Sequence, residues 1–134
     1  MVNETVVVFG ASGFLGSHVA DALSAAGYRV RLFDRSPSPY LKSNQEMIIG
    51  DIMNLDQVIE AAKGTSIVYN FAAITDIDEA NDKPIPTATI NVLGNMHALE
   101  AARIAGARRF VFASSIYVYS ESGSFYRASK QAAE

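Results

Sequence analysis

Of the six tyrosines in this 134-residue chain, Tyr126 alone has a lysine four positions on, Lys130. Residues i and i+4 share a helical face, so the phenol and the ammonium would stand side by side. A free tyrosine titrates at about 10, and a fixed cation beside a phenol favours its charged form. A phenol so placed can take or give the proton of a hydroxyl while hydride moves to or from a nicotinamide ring. Ser114 and Ser115 lie upstream, at the end of an apolar run, where a hydroxyl can hydrogen-bond the same substrate oxygen.

A second constellation stands near the start of the chain. Residues 10–16 read GASGFLG, after an apolar run and before a helical pattern. Gly10 permits a tight turn, Gly13 lets a diphosphate approach the backbone, and Gly16 lets the helix pack close to the sheet. The helix start offers free N–H groups and partial positive charge to phosphates. Asp34 closes the next apolar run, where a carboxylate can accept both hydroxyls of an adenosine ribose. Its charge favours NAD over NADP, whereas the guanidinium of Arg35 could hold a 2′-phosphate.

These groups need rigid elements to position them. Residues 5–9, TVVVF, read as a strand buried on both faces. Leu15, Val19, Leu23 and Ala26 recur at helical spacing up to Gly27. A strand at 28–33, a loop with Pro37 and Pro39, and a strand at 46–49 closed by Gly50 follow. Then come a short helix at 56–62, a buried strand at 67–73, and a polar, irregular stretch at 74–84. A long helix at 85–105, a strand at 109–113 and a last helix at 126–134 complete the pattern. The long helix is apolar on two faces, one with Val92, Met96 and Leu99, the other with Ile90, Leu93, Ala101 and Ile104. Such a helix touches more than its own sheet. Met47, Met53 and Met96 read as core filler. Strands alternating with helices predict one α/β domain over 1–134. Its fold would be a Rossmann-type doubly wound parallel sheet of about five strands in the order 3-2-1-4-5. The pattern stops inside a helix, so the expectation is the front part of a longer protein.

Composition excludes several classes. Hydrophobic residues make up 49% and charged residues 19%, which suits a packed core and not a disordered chain. A net charge of −3 without a basic cluster argues against nucleic acid or an anionic membrane as partner. The absence of cysteine removes disulfides, thiol catalysis and Cys-type zinc sites. His18 and His97 lack an acidic cluster at metal spacing, so no metal is expected. The apolar stretches fall far short of a membrane span, and MVNETVVVFG does not read as a signal peptide, so the expected location is the cytoplasm.

In this order, the sites resemble the short-chain dehydrogenase/reductase family, above all its extended branch, the NAD-dependent epimerases and dehydratases of nucleotide sugars. GASGFLG looks like that branch's glycine signature, which implies cofactor contacts from Gly10, Ser12, Gly13, Phe14, Leu15 and Gly16, with Asp34 and Arg35 beyond. Gly50-Asp51-Ile52 looks like its adenine-contacting segment, through Asp51 and Ile52. Asn70-Phe71-Ala72-Ala73 looks like the strand end along the cofactor, through Phe71, Ala72 and Ala73. Asn91, within INVLGN, matches the helix asparagine that supports the proton relay. Ser115, four before Tyr119, stands in the catalytic serine's place, and Tyr126 and Lys130 match the YxxxK pair. The resemblance therefore implies Ser115, Tyr126, Lys130 and Asn91 as catalytic, the last three also touching cofactor. It further implies a homodimer through the helices at 85–105 and 126–134. There are two departures: the short loop SESGSF between the serine motif and Tyr126, so the substrate mouth must differ, and the truncation after the YxxxK helix, before the last sheet strands and the substrate domain that the resemblance implies.

The implied function is oxidation of a hydroxyl on a nucleotide sugar by NAD. Tyr126 would be the base, Lys130 its cation and Ser115 the holder of the substrate oxygen. The 134-residue piece is expected to bind dinucleotide with little turnover. Two readings stay open beside it: an NADPH-dependent carbonyl reductase of the same family, and a non-catalytic dinucleotide-binding scaffold or sensor.

Overall fold

Valine and phenylalanine fill Val6–Phe9, so this segment has no face to give to water. In the computed structural model, which describes residues 3–134, it runs through the middle of a sheet. Met1 and Val2, the first two positions of the expected domain, lie outside the described residues. The strand, β1 (Thr5–Phe9), pairs in parallel with β2 (Arg29–Asp34) on one side. Next to β2 lies β3 (Gln45–Ile49). On the other side β1 pairs with β4 (Ile67–Asn70), and β4 with β5 (Arg109–Phe112). The five strands stand in the order 3-2-1-4-5, the doubly wound arrangement that the sequence predicts.

Two cores cover the sheet. On one face, α1 (Phe14–Ala25) buries only small residues, Gly16, Ser17, Ala20 and Ser24, so its axis lies close to Val8, Val30 and Leu32. On the other, α2 (Leu55–Ala62) and α5 (Gly94–Ala105) cover Val7, Phe9, Phe33 and Val68. Phe9 meets Phe33 edge to face at 5.1 Å between ring centres, a contact worth about 1 kcal/mol beyond its buried area. Asn54 starts α2 by accepting a hydrogen bond from the Gln57 N–H at 3.2 Å.

Several elements differ from expectation, each for a local reason. Residues 74–84 are not irregular: they hold α3 (Ile77–Asp82). Asp76 caps it by accepting from the Glu79 N–H at 2.8 Å, and Asp78 and Glu79 add negative charge to its first turn. Ala80 is its one buried residue, so the helix carries almost no apolar periodicity. The stretch 85–105 is helical but not one α-helix. It runs as α4 (Pro84–Ala88), a π turn (Thr89–Leu93) with Asn91 buried in it, and α5. β4 ends at Asn70 rather than 73, because the Asn70 side chain accepts from the Ala72 N–H at 3.1 Å and turns the chain out of the sheet. The last helix, α6 (Ser124–Ala133), starts two residues before the predicted position. Met47 and Met53 pack against the cores, whereas Met96 is 57% exposed and fills none.

Candidate active site

The carboxyl ends of β1 to β4 open on one crevice, at the point where the strand order departs from β1 in both directions. Gly10 and Gly13 line it after β1, Asp34 and Arg35 after β2, Gly50 to Ile52 after β3, and Phe71 to Ile74 after β4. The glycines play unequal parts. Gly10 has φ +75°, and a Cβ there would stand 2.5 Å from the Ala72 nitrogen. A Cβ on Gly16 would stand 2.2 Å from the Gly10 carbonyl oxygen. Both are therefore required by the fold itself. Gly13 has φ −77°, and a Cβ there would meet the Gly10 oxygen at 3.4 Å, an ordinary contact. Its backbone needs no glycine, yet it lines the crevice. Gly13 also precedes α1 without offering a side-chain cap, so the helix's first N–H groups stay open to a ligand.

Asp34 is held in place by the loop it faces. One carboxylate oxygen accepts from the Ser12 N–H at 3.0 Å and the other from the Ser36 N–H at 3.3 Å. The Ser12 hydroxyl donates to the Ser36 carbonyl at 2.6 Å. A carboxylate offers about four acceptor positions, so capacity remains for a ligand's hydroxyls. Asp51 is pinned likewise: its N–H donates to Gln57 Oε1 and its Oδ1 accepts from the Met53 N–H, each at 2.9 Å.

Beyond β5, Ser115 accepts from the Tyr117 N–H at 3.2 Å and so caps a 3₁₀ turn, Ile116–Tyr119. The Tyr117 ring meets Tyr126 edge to face at 6.2 Å. Tyr126 is buried on α6, one turn before Lys130, which is only 4% exposed. The Lys130 ammonium donates to the Ala113 carbonyl at 2.9 Å. It lies 4.9 Å from the Phe112 ring centre and 5.8 Å from that of Tyr126, both within reach of a cation–π attraction. Burial penalises the charged amine and pushes its pKa down to about 8.

A model of the NAD dependent epimerase/dehydratase family matches residues 6–133. The chain belongs to that family. It is 34% identical over 124 residues to a UDP-glucose 4-epimerase of Rhizobium leguminosarum bv. trifolii, which covers 89% of this chain and 38% of that relative. It is also 34% identical over 119 residues to a 3-beta-hydroxysteroid dehydrogenase of Mycolicibacterium neoaurum, covering 82% of this chain and 31% of the relative. The solved structure of MoeE5 in complex with UDP-glucose and NAD matches with a TM-score of 0.87 at 31% identity, over 96% of this chain and 46% of that one. The UDP-glucose 4-epimerase from Brucella ovis in complex with NAD matches at 0.88 and 25%, over 97% and 45%. The chain thus spans less than half the length of these relatives.

The cofactor of the epimerase/dehydratase family is NAD, and the crevice fits a dinucleotide on two counts: the unexplained glycine at 13 and the uncapped start of α1. Of the residues singled out in the sequence, Gly10, Gly13, Asp34, Arg35, Asp51, Ile52, Phe71, Ala72 and Ala73 line this crevice. Ser12 joins through its bond to Asp34, and Gly16 packs beneath Gly10. Phe14 and Leu15 are exposed, Phe14 leaning on His18 at 4.8 Å, and neither is among the residues that line the crevice. Asn91 is buried, and its amide serves other groups than Tyr126. It accepts from the Ile74 N–H at 2.7 Å and donates to the Ile74 carbonyl at 2.9 Å and to Ser129 Oγ at 3.0 Å.

Sequence reasoning missed part of this environment. Phe33, Ile74 and Ile90 also line the crevice. Asn95 accepts from Asn70 Nδ2 at 2.8 Å and donates to the Ala133 carbonyl at 3.2 Å. Its signal was present: Asn91 and Asn95 stand four apart in an otherwise apolar helical run, and a buried amide needs partners.

Proposed function

We propose that this chain is the dinucleotide-binding part of an enzyme that oxidises and reduces a hydroxyl-bearing carbon of a nucleotide sugar, in the manner of an epimerase or dehydratase. Gly13 carries this reading, as a glycine the free backbone does not need, placed where free helix N–H groups face the crevice. Asp34 accepts the ribose hydroxyls, with Arg35 beside it. Asp51 and Ile52 take the adenine, and Phe71, Ala72 and Ala73 run along the cofactor. When bound, NAD supplies the acceptor for a hydride leaving a C–H bond. Tyr126, as its phenolate, takes the proton of the hydroxyl on that carbon and becomes the neutral phenol. The Lys130 ammonium, fixed by the Ala113 carbonyl, attracts the phenolate before the transfer. Ser115 accepts from Tyr117 and keeps its own hydroxyl hydrogen for the substrate oxygen. Asn91 supports the pair from behind, through Ser129.

A homodimer through the helices at 85–105 and 126–134 is part of the proposal. Met96 and Leu99 on one of the two apolar faces stay exposed, as do Leu93 on the other and Phe125 on α6. Among the described residues no helix is long and apolar enough to cross a membrane. We assign the enzyme to the cytoplasm.

A second substrate reading has its own support. Ile116 is 82% and Tyr119 90% exposed beside Ser115, an apolar surround that suits a hydroxysteroid as well as a sugar. The test is titration of NAD into the chain and into Gly13→Ala, with thermal unfolding of both. Saturable binding is expected, weakened about tenfold or more by Gly13→Ala at an unchanged unfolding temperature. No saturable binding, or equal binding by the variant, would overturn the proposal. Turnover of UDP-glucose and of a 3β-hydroxysteroid separates the two substrate classes; little is expected from the 134 residues alone.

A further inference from the structure

α6 has ten residues, too few for a helix to hold by itself, and Tyr126 is its one buried hydrophobic residue. Hydrogen bonds must therefore fasten it. Arg127 and Gln131 reach the carbonyls of Ser120 and Val118 on the outer side. On the inner side Ser129 is 4% exposed, and its hydroxyl accepts from Asn91 Nδ2 at 3.0 Å while donating to the Tyr126 carbonyl at 2.7 Å. Asn91 in turn grips both backbone groups of Ile74, a residue of the crevice wall. Ser129 thus lies between the tyrosine and the lysine in sequence, and its bonds run from the catalytic helix to the cofactor wall.

We infer that Ser129 is a positioning residue: through Asn91 it sets the rotation of α6 and so holds Lys130 on the Ala113 carbonyl and Tyr126 against Tyr117. This rests on the proposed roles of Tyr126 and Lys130. An alanine at 129 keeps nearly all of the side-chain volume and loses both hydroxyl bonds, so it separates positioning from packing. A loosened α6 lets water reach the Lys130 amine, which raises its titration midpoint toward that of an ordinary lysine.

The experiment is the pH dependence of Lys130 acylation in the ligand-free chain, read residue by residue by mass spectrometry. Ser129→Ala is expected to raise the midpoint by about one unit, a tenfold loss of reactive amine at a fixed lower pH. Ser129→Thr, which restores a hydroxyl, should return it toward the wild-type value. Gln131→Ala, which cuts a bond on the exposed side of the same helix, should leave it in place. An unmoved midpoint in Ser129→Ala, or an equal rise in Gln131→Ala, would overturn the inference. Should Ser129→Ala not fold, Ser129→Cys gives the same reading with a weaker hydrogen bond. The measurement needs no dinucleotide, so failure to bind NAD would sink the proposed function and leave this result standing.

Discussion

The glycine turn lines the crevice, the tyrosine helix packs beyond β5 outside that lining, and the two are held by different forces. From Gly10 to Gly16 the backbone is locked by contact, with two positions where a single Cβ would overlap a neighbouring backbone atom. From Ser115 to Lys130 it is fastened by hydrogen bonds, to Tyr117, Ala113, Asn91 and Ser120. Close packing tolerates no small change and gives a preformed site. Hydrogen-bonded fastening costs less to alter one bond at a time, and it lets each bond tune the helix. The glycine end therefore behaves as rigid scaffold, and the tyrosine end as an adjustable attachment to it.

If this contrast is right, the largest effect comes from the packed end. Gly16→Ala gains about 1 kcal/mol of helix propensity. Against that, its Cβ would stand 2.2 Å from the Gly10 oxygen, an overlap that costs about 3 kcal/mol or more to relieve. The net loss should lower the unfolding temperature by roughly 8 °C and weaken dinucleotide binding with it. A variant with wild-type unfolding temperature would show that the turn can yield, and the contrast would fail.

The next effect tests the fastened end. Asn95→Ala leaves the Asn70 amide and the Ala133 carbonyl each without the partner it now has. Stranding buried polar groups costs about 2 kcal/mol. Stability to thermal unfolding should fall by that amount, while NAD binding stays near wild type. A parallel loss of binding would mean that the two ends form one cooperative unit.

The same contrast explains what could be read in the sequence. The apolar run of β1, the glycines at 10, 13 and 16 and the acid at the end of β2 are local signals, and each lies where short-range patterns put it. Alternation gives a parallel sheet, and the glycine turn after β1 marks its Rossmann-type order. The fastening is not local. Asn91 bonds Ile74 17 positions away and Ser129 38 positions away, partners chosen by tertiary approach. The π turn that carries Asn91 has the same apolar period as a plain helix within the error of reading it, so 85–105 looks continuous. α3 was hidden for the opposite reason: the Asp76 cap, bonded to the Glu79 N–H, and an acidic first turn form it without an apolar face. The YxxxK pair is legible as spacing, whereas the buried setting of Lys130 depends on Phe112 and Ala113 from another element.

The smallest effect is a slope with pH, and it isolates that setting. The Lys130 amine loses its proton at about 8 when folded, against 10.5 as the ordinary value. Below about 8 both states carry the proton and the burial penalty is constant. As the pH rises from 8 toward 10.5 the unfolded chain binds more protons than the folded one, so folding becomes more favourable. Lys130→Met removes the titrating group and keeps an apolar stem against Phe112. Relative to that variant, the wild type should gain about 1 kcal/mol between pH 7 and pH 8.5, near 3 °C in unfolding temperature. Other lysines and tyrosines titrate in both proteins and cancel in the difference. Parallel curves would mean that water already reaches the amine, that α6 is looser than its bonds imply, and that the fastened end is weaker than the comparison requires.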